Sequence, residues 1–266
     1  MASLFVKPDG GGHWYTADGE PRYDANLRDA RKEQLLPSPT SILSIVRSDG
    51  LERWKLNQMA VAAVELQRGA AESGDVFGRR LVERSESLRN EAARLGTLVH
   101  DGIERMIGGK LWDESCPMLQ KFNVWRQENI KAHEWSERVL VNRSLGVAGK
   151  ADAMVYFKGK AAELVGDQPV LVDWKTQKMK LSRAKKPVYK PNYYSKWVMQ
   201  LAFYQSCLMT KVPVVSVAIN TTEPMEPIIK LWTPEEVSEA MEAFEAALRL
   251  WQYEKSYKPQ TDNEKL

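Results

Sequence analysis

The chain has 266 residues, 43% of them hydrophobic and 27% charged, with a formal net charge of +3. Such a length buries a sizeable core, and such a composition belongs to a soluble globular protein rather than a disordered or fibrous one. No run approaches the roughly 18 apolar residues of a membrane span, residues 1–12 hold no apolar leader, and the two cysteines, Cys116 and Cys207, are too few for an iron–sulfur cluster.

In chain order, residues 13–23, with Asp18-Gly19 between short aromatic runs, read as a β-hairpin. A helix is expected over 25–34, ended by Pro37 and Pro39. Helical spacing then continues from 40 through Leu51, Trp54 and Met59 toward 67, and glycines 69, 74 and 78 interrupt it. The clearest helix spans 87–107, where Leu88, Ala92, Leu95, Val99, Ile103 and Ile107 recur at three- and four-residue steps and Gly108-Gly109 ends the run. Another helix is expected over 117–131. The period then changes to alternation, predicting strands over 137–142, 146–157 and 170–176. A helix over 194–209, strands over 212–220 and 228–232, and a last helix begun by Thr233-Pro234-Glu235-Glu236 complete the chain. The expectation is an α/β (α+β) fold: a central mixed sheet flanked by helices, with a helical N-terminal region over 1–85 packed on a core over 86–266 as one structural unit.

The net charge hides a segregation. Residues 174–222 contain no Asp or Glu but nine basic residues, Lys175, Lys178, Lys180, Arg183, Lys185, Lys186, Lys190, Lys196 and Lys211, leaving 29 basic and 35 acidic residues elsewhere. This suits a polyanion, although a solvated lysine-rich loop has the same composition. Tyr189, Tyr193, Tyr194 and Trp197 interleave with these charges, either to stack unpaired bases or to cap the core.

Four short segments carry chemistry. In Val170-Leu171-Val172-Asp173-Trp174-Lys175-Thr176, an apolar run ends by presenting Asp173 and Lys175, two apart on a strand and so on one face. Phosphodiester hydrolysis needs a carboxylate for a hard cation and an ammonium beside the nucleophile; a surface ion pair has the same spacing. Gly149-Lys150-Ala151-Asp152 places a second carboxylate at the head of an apolar strand, where a neighbouring Asp173 would be unfavourable without a cation between the two. Gly96, His100 and Glu104 line one helix edge, where a neutral imidazole can serve as a ligand oriented by Glu104; a lone His beside a core stripe is also an ordinary structural residue. Gln200 and Tyr204 lie one helical turn apart, a weak pattern alone.

Taken in order, these segments resemble the PD-(D/E)XK nuclease superfamily, in its RecB-like and phage-type exonuclease branch, over about residues 90 to 220. The matching motifs are Gly96-Thr97-Leu98-Val99-His100-Asp101-Gly102-Ile103-Glu104, Gly149 to Asp152, Asp173 to Thr176 and Gln200 to Tyr204. The N-terminal Pro37-Ser38-Pro39-Thr40-Ser41-Ile42-Leu43 and Trp54-Lys55 also look like phage members. The resemblance implies a restriction-endonuclease-like core and one or two Mg²⁺ or Mn²⁺ ions held by His100, Asp152, Asp173 and the Trp174 carbonyl. It implies Lys175 as the catalytic lysine, Gln200 and Tyr204 as positioning groups, and Glu137 as an additional acidic residue. The four-cysteine cluster of some relatives cannot form, so no iron–sulfur cluster is expected.

The function expected is a Mg²⁺-dependent exodeoxyribonuclease of phage or bacterial DNA recombination and repair. The alternatives are an endonuclease or junction resolvase, or a non-catalytic nucleic-acid-binding protein. The partner is DNA, single- or double-stranded, with a recombination or single-strand-binding protein as a candidate second partner, no membrane, and a cytoplasmic location. Lys178, Lys180, Arg183, Lys185, Lys186, Lys190, Tyr193 and Lys196 are the expected DNA contacts.

Overall fold

The computed structural model describes residues 13–261 apart from 184 and 186. The N-terminal hairpin forms as expected: β1 (Trp14–Tyr15) and β2 (Pro21–Arg22) pair antiparallel around Gly19, whose φ of +87° suits a residue without Cβ. Asn26 caps α1 (Leu27–Glu33) in a reciprocal box with Asp29, and β3 (Leu36–Pro37) then returns beside β1. Next come α2 (Pro39–Ile42), capped by Ser38, a 3-10 turn over Leu43–Ile45, and α3 (Asp49–Glu65).

Helix α4 runs from Gly74 to Ile107, starting thirteen residues before the expected position. Gly74 and Gly78 face open space, so they do not interrupt it. Ion pairs Arg84–Glu65 and Arg80–Glu72, both 2.8 Å, tie its first half to α3 and the following connection. Helix α5 (Pro117–Asn129) passes directly into β4 (Ile130–Asn142), which begins seven residues earlier than its alternation suggests. Register shifts within 130–135 and a left-handed Glu137 (φ +56°) break the two-residue period there.

β5 (Val147–Phe157) is followed by α6 (Gly159–Val165), an element sequence reasoning did not identify, and by β6 (Pro169–Gln177). The basic insert is not loop alone. It holds a small hairpin, β7 (Lys180–Leu181) with β8 (Tyr189–Lys190), whose base is tied by Gln177 and Asn192. Helix α7 (Ser195–Ser206), β9 (Val214–Asn220), β10 (Ile228–Trp232) and α8 (Pro234–Lys255) follow, the last with the expected Thr233–Glu236 capping box.

The central sheet is five-stranded and mixed, in the order β10-β9-β6-β5-β4. Only β6 and β9 pair in parallel, joined by the crossover through α7. One core, with Leu171, Leu201, Phe203, Phe244 and Trp251, packs α7, α8 and the N-terminal segment on one face. A second, with Val99, Ile103, Phe122, Val172 and Trp174, packs α4, α5 and α6 on the other. The fold is therefore the expected mixed sheet flanked by helices. No helix of the described residues is long and apolar enough to cross a membrane.

Candidate active site

Strands β5 and β6 pair from Tyr156↔Pro169 to Ala153↔Val172, and their ladder ends there. The next two positions are Asp152 and Asp173. Beyond them β6 continues against β9 to Asn220, while β5 continues against β4. The sheet thus parts where the two carboxylates stand, and helices from opposite faces reach the gap: α4 with His100 and α7 with Gln200 and Tyr204.

Asp173 is 2% exposed. Its Oδ1 pairs with Lys175 Nζ at 2.7 Å, while its buried Oδ2 has no hydrogen-bond partner. Burial pushes its pKa up to about 7, with the charge of Lys175 opposing and that of Asp152 adding. Asp152 behaves oppositely: burial would raise its pKa, but the hydrogen bond and charge of His100, the charge of Lys175 and the Trp174 N–H hold it below the carboxylate range. Its Oδ2 accepts from the Trp174 N–H at 2.8 Å and lies 3.4 Å from His100 Nε2.

His100 Nδ1 lies 2.5 Å from Glu104 Oε1, so Glu104 orients the ring and turns Nε2 toward Asp152. Burial lowers the imidazole pKa, but the two carboxylates outweigh it and push the value up to about 10. Gly96 lets this helix approach β6, since a Cβ there would stand 2.8 Å from Thr176 Oγ1. A cavity of about 380 Å³ opens beside it, lined by Ala93, Gly96, Thr97, His100, Asp101 and Thr176.

A relay supports the ammonium. Lys175 Nζ donates to Gln200 Oε1 (3.1 Å), Gln200 Nε2 donates to Tyr204 Oη (3.2 Å), and Tyr204 donates to the Lys150 carbonyl (2.8 Å). Burial lowers the pKa of Lys175, yet Asp173 and Asp152 raise it above its ordinary value. Tyr204 reaches the strand because position 149 is glycine: a Cβ there would meet its ring at 3.1 Å and Pro39 at 2.6 Å. The side chain of Lys150 pairs with Glu137, whose other oxygen is buried without a partner. Glu137 holds a left-handed backbone that costs a non-glycine residue about 1–3 kcal/mol, strain that collects at functional sites.

The structure thus gathers Glu104, His100, Asp152, Asp173, Lys175, Gln200 and Tyr204 in one network, with Glu137 reaching it through Lys150. Trp174 turns its ring into the core, edge-on to Phe122, and leaves its backbone between Asp173 and Lys175. The donor atoms found mutually within 4.8 Å are those of His100, Asp101 and Glu104; Asp173 is turned onto Lys175 instead. Sequence reasoning passed over Asp101 and Lys150. Lys150 was detectable, because it stands two residues before Asp152 on the same strand.

Lys178, Lys180, Arg183, Lys185 and Lys190 are exposed, and Lys196 is half-buried on α7. Lys186 lies outside the described residues. Tyr189 is held by Glu223 (2.7 Å), whereas Tyr193 and Tyr194 are 37% and 41% exposed while standing edge-on to Trp197.

No family model matches the chain, and no curated protein matches it. Among solved structures, a crystal structure from Eubacterium rectale that carries the provisional name of an exonuclease aligns with a TM-score of 0.40 and 12% identity, over 64% of this chain and 71% of that one. The likeness is distant.

Proposed function

We propose that this chain is a divalent-metal-dependent deoxyribonuclease, an exonuclease of phage or bacterial DNA processing that hydrolyses phosphodiester bonds at the gap between β5 and β6. The observation that carries the reading is Asp173: a buried carboxylate with one unpartnered oxygen, flanked by Asp152 and tethered to a buried ammonium. Such a carboxylate is costly unless a cation completes it. An oxygen-rich donor set with one imidazole suits Mg²⁺ or Mn²⁺.

Asp173 Oδ2, Asp152, His100 Nε2 and the Trp174 carbonyl are the groups that would hold one or two such ions. When bound, the ion lowers the pKa of water and polarises the phosphate. Lys175, kept charged by Asp173 and Asp152, has no free pair to take a proton at neutral pH. Its role is therefore to donate to the nucleophile or a phosphate oxygen and to offset the charge that grows there. Gln200 and Tyr204 are positioning residues that fix where the ammonium points. The exposed bases of the insert lie along the path of a polyanion.

The test is end-labelled linear and closed circular DNA, single- and double-stranded, incubated with Mg²⁺ or Mn²⁺. Linear substrates should be digested and circles spared, and Asp173→Ala or Lys175→Ala should abolish cleavage with the fold retained by circular dichroism. Undiminished metal-dependent cutting by a folded Asp173→Ala protein overturns the scheme. Cutting of closed circles transfers the assignment to an endonuclease or resolvase.

A further inference from the structure

Tyr193 and Tyr194 join the basic insert to α7, and tethers on both sides fix them near the site. On one side, Gln177 Oε1 accepts from the Asn192 N–H at 2.9 Å, and Gln177 stands two residues beyond Lys175 on β6. Two residues of strand span about 7 Å. On the other side, Tyr194 is the N-cap of α7, and Gln200, which holds Lys175, follows six residues later. Six residues of helix rise about 9 Å. The rings are braced yet open to solvent. Tyr193 stands edge-on to Trp197 at 6.2 Å and to Trp232 at 6.0 Å, and Tyr194 stands edge-on to Trp197 at 5.3 Å. Trp197 packs on the core shared by α7 and α8, so the two tyrosines are not needed to cap it. They remain 37% and 41% exposed, and their hydroxyls make no hydrogen bond among the described residues. A ring already held this way loses little freedom when a flat partner stacks on it.

Charge selects the partner. Both rings lie in the 174–222 stretch that has no Asp or Glu. Lys178, Lys180 and Lys190 are exposed on the insert before them, and Lys196 follows in the first turn of α7. A flat partner that carries phosphates fits rings and charges together. Inside a duplex, each base is covered on both faces by its stacked neighbours. An unpaired strand can splay its bases and lay them on aromatic side chains.

We propose that Tyr193 and Tyr194 form a stacking platform for unpaired bases, so that the site takes single-stranded DNA. At a stacked spacing of about 3.4 Å per nucleotide, the platform holds bases within about three nucleotides of the scissile phosphate. The proposal rests on the nuclease reading above and names the form of its substrate.

The test measures binding by fluorescence anisotropy in EDTA, with labelled probes of equal phosphate number: an oligothymidylate, an abasic strand and a blunt DNA hairpin duplex. Tyr193→Ala and Tyr194→Ala should each weaken binding of the oligothymidylate about 5- to 150-fold, the range of one lost base–aromatic stack. Neither should change binding of the abasic strand or the duplex, and the abasic strand thus doubles as the check that each variant is folded. The salt dependence should also stay as it was, because no charge is lost. Tyr194→Phe should bind like the unsubstituted chain, since the ring is used and not its hydroxyl. Tyr253→Ala, at the 80%-exposed tyrosine of α8, should do the same. No loss in either alanine variant, or an equal loss on the abasic strand or the duplex, overturns the platform while leaving the nuclease reading intact. Failure of the unsubstituted chain to bind any of the probes overturns both.

Discussion

Proton release is the sharpest probe of how the site meets a cation. An ion bound by Asp173 and by His100 Nε2 must displace the proton each carries, and those protons leave at about 7 and about 10. Below pH 7 two protons leave per ion, and between 7 and 8.5 one leaves. The logarithm of Mg²⁺ affinity should thus climb with a slope near two and then near one, gaining roughly three orders of magnitude between pH 6 and 8.5, at about 1.4 kcal/mol per proton per pH unit. Isothermal titration calorimetry in buffers of different ionisation enthalpy counts the protons directly. An affinity that is flat above pH 7 refutes ligation by His100, and one that is flat throughout refutes both ligands.

The metal-free protein should show the opposite trend in stability. Both groups have folded pKa values above their usual ones, so the stability they contribute is complete below about 4 for Asp173 and about 6.5 for His100. It is lost as pH rises through about 7 and toward about 10. Asp152, whose pKa is lowered, contributes in the reverse sense: its stabilisation is present above the ordinary carboxylate pKa and is lost as the pH falls through the lowered value. The Tm without Mg²⁺ should therefore fall from pH 6 to 8.5, and Mg²⁺ should restore most at the alkaline end.

Two further substitutions separate chemistry from folding. Tyr204→Phe removes the tyrosine donor from the Lys150 carbonyl and frees Gln200; it should cost about 0.5–1.5 kcal/mol of stability, read as a lower Tm, and reduce kcat on the order of tenfold with KM little changed. Thr233→Ala removes one arm of the α8 capping box and should lower Tm by about 2–4 °C, for about 1 kcal/mol, with cleavage unaffected, which a thermal melt beside a nuclease assay will show.

Where a segment's local pattern and its tertiary setting agree, the elements were readable in the sequence. The apolar stripe from Leu95 to Ile107 and the Thr233–Glu236 box are such cases. The first half of α4 was hidden because glycines 74 and 78 argue against a helix, and only pairing with α3 keeps it. The early part of β4 was hidden because shifted register and a left-handed Glu137 erase the alternation. At the site, residue types and their order were visible in the motifs. What spacing could not show is that Tyr204 reaches Lys150, because that depends on how distant elements cross.

Asp152 has a consequence for how this centre can be dissected. Where β5 and β6 separate, its carboxylate takes the Trp174 amide that a neighbouring strand's carbonyl would otherwise receive. An alanine there strands a buried amide, so the activity it loses would mix damage to the sheet with damage to the reaction. Asparagine keeps an acceptor and removes only the charge, which makes it the informative replacement. One side chain is thus mortar for the architecture and, on the proposed reading, also a holder of the ion, so that neither task could drift without the other.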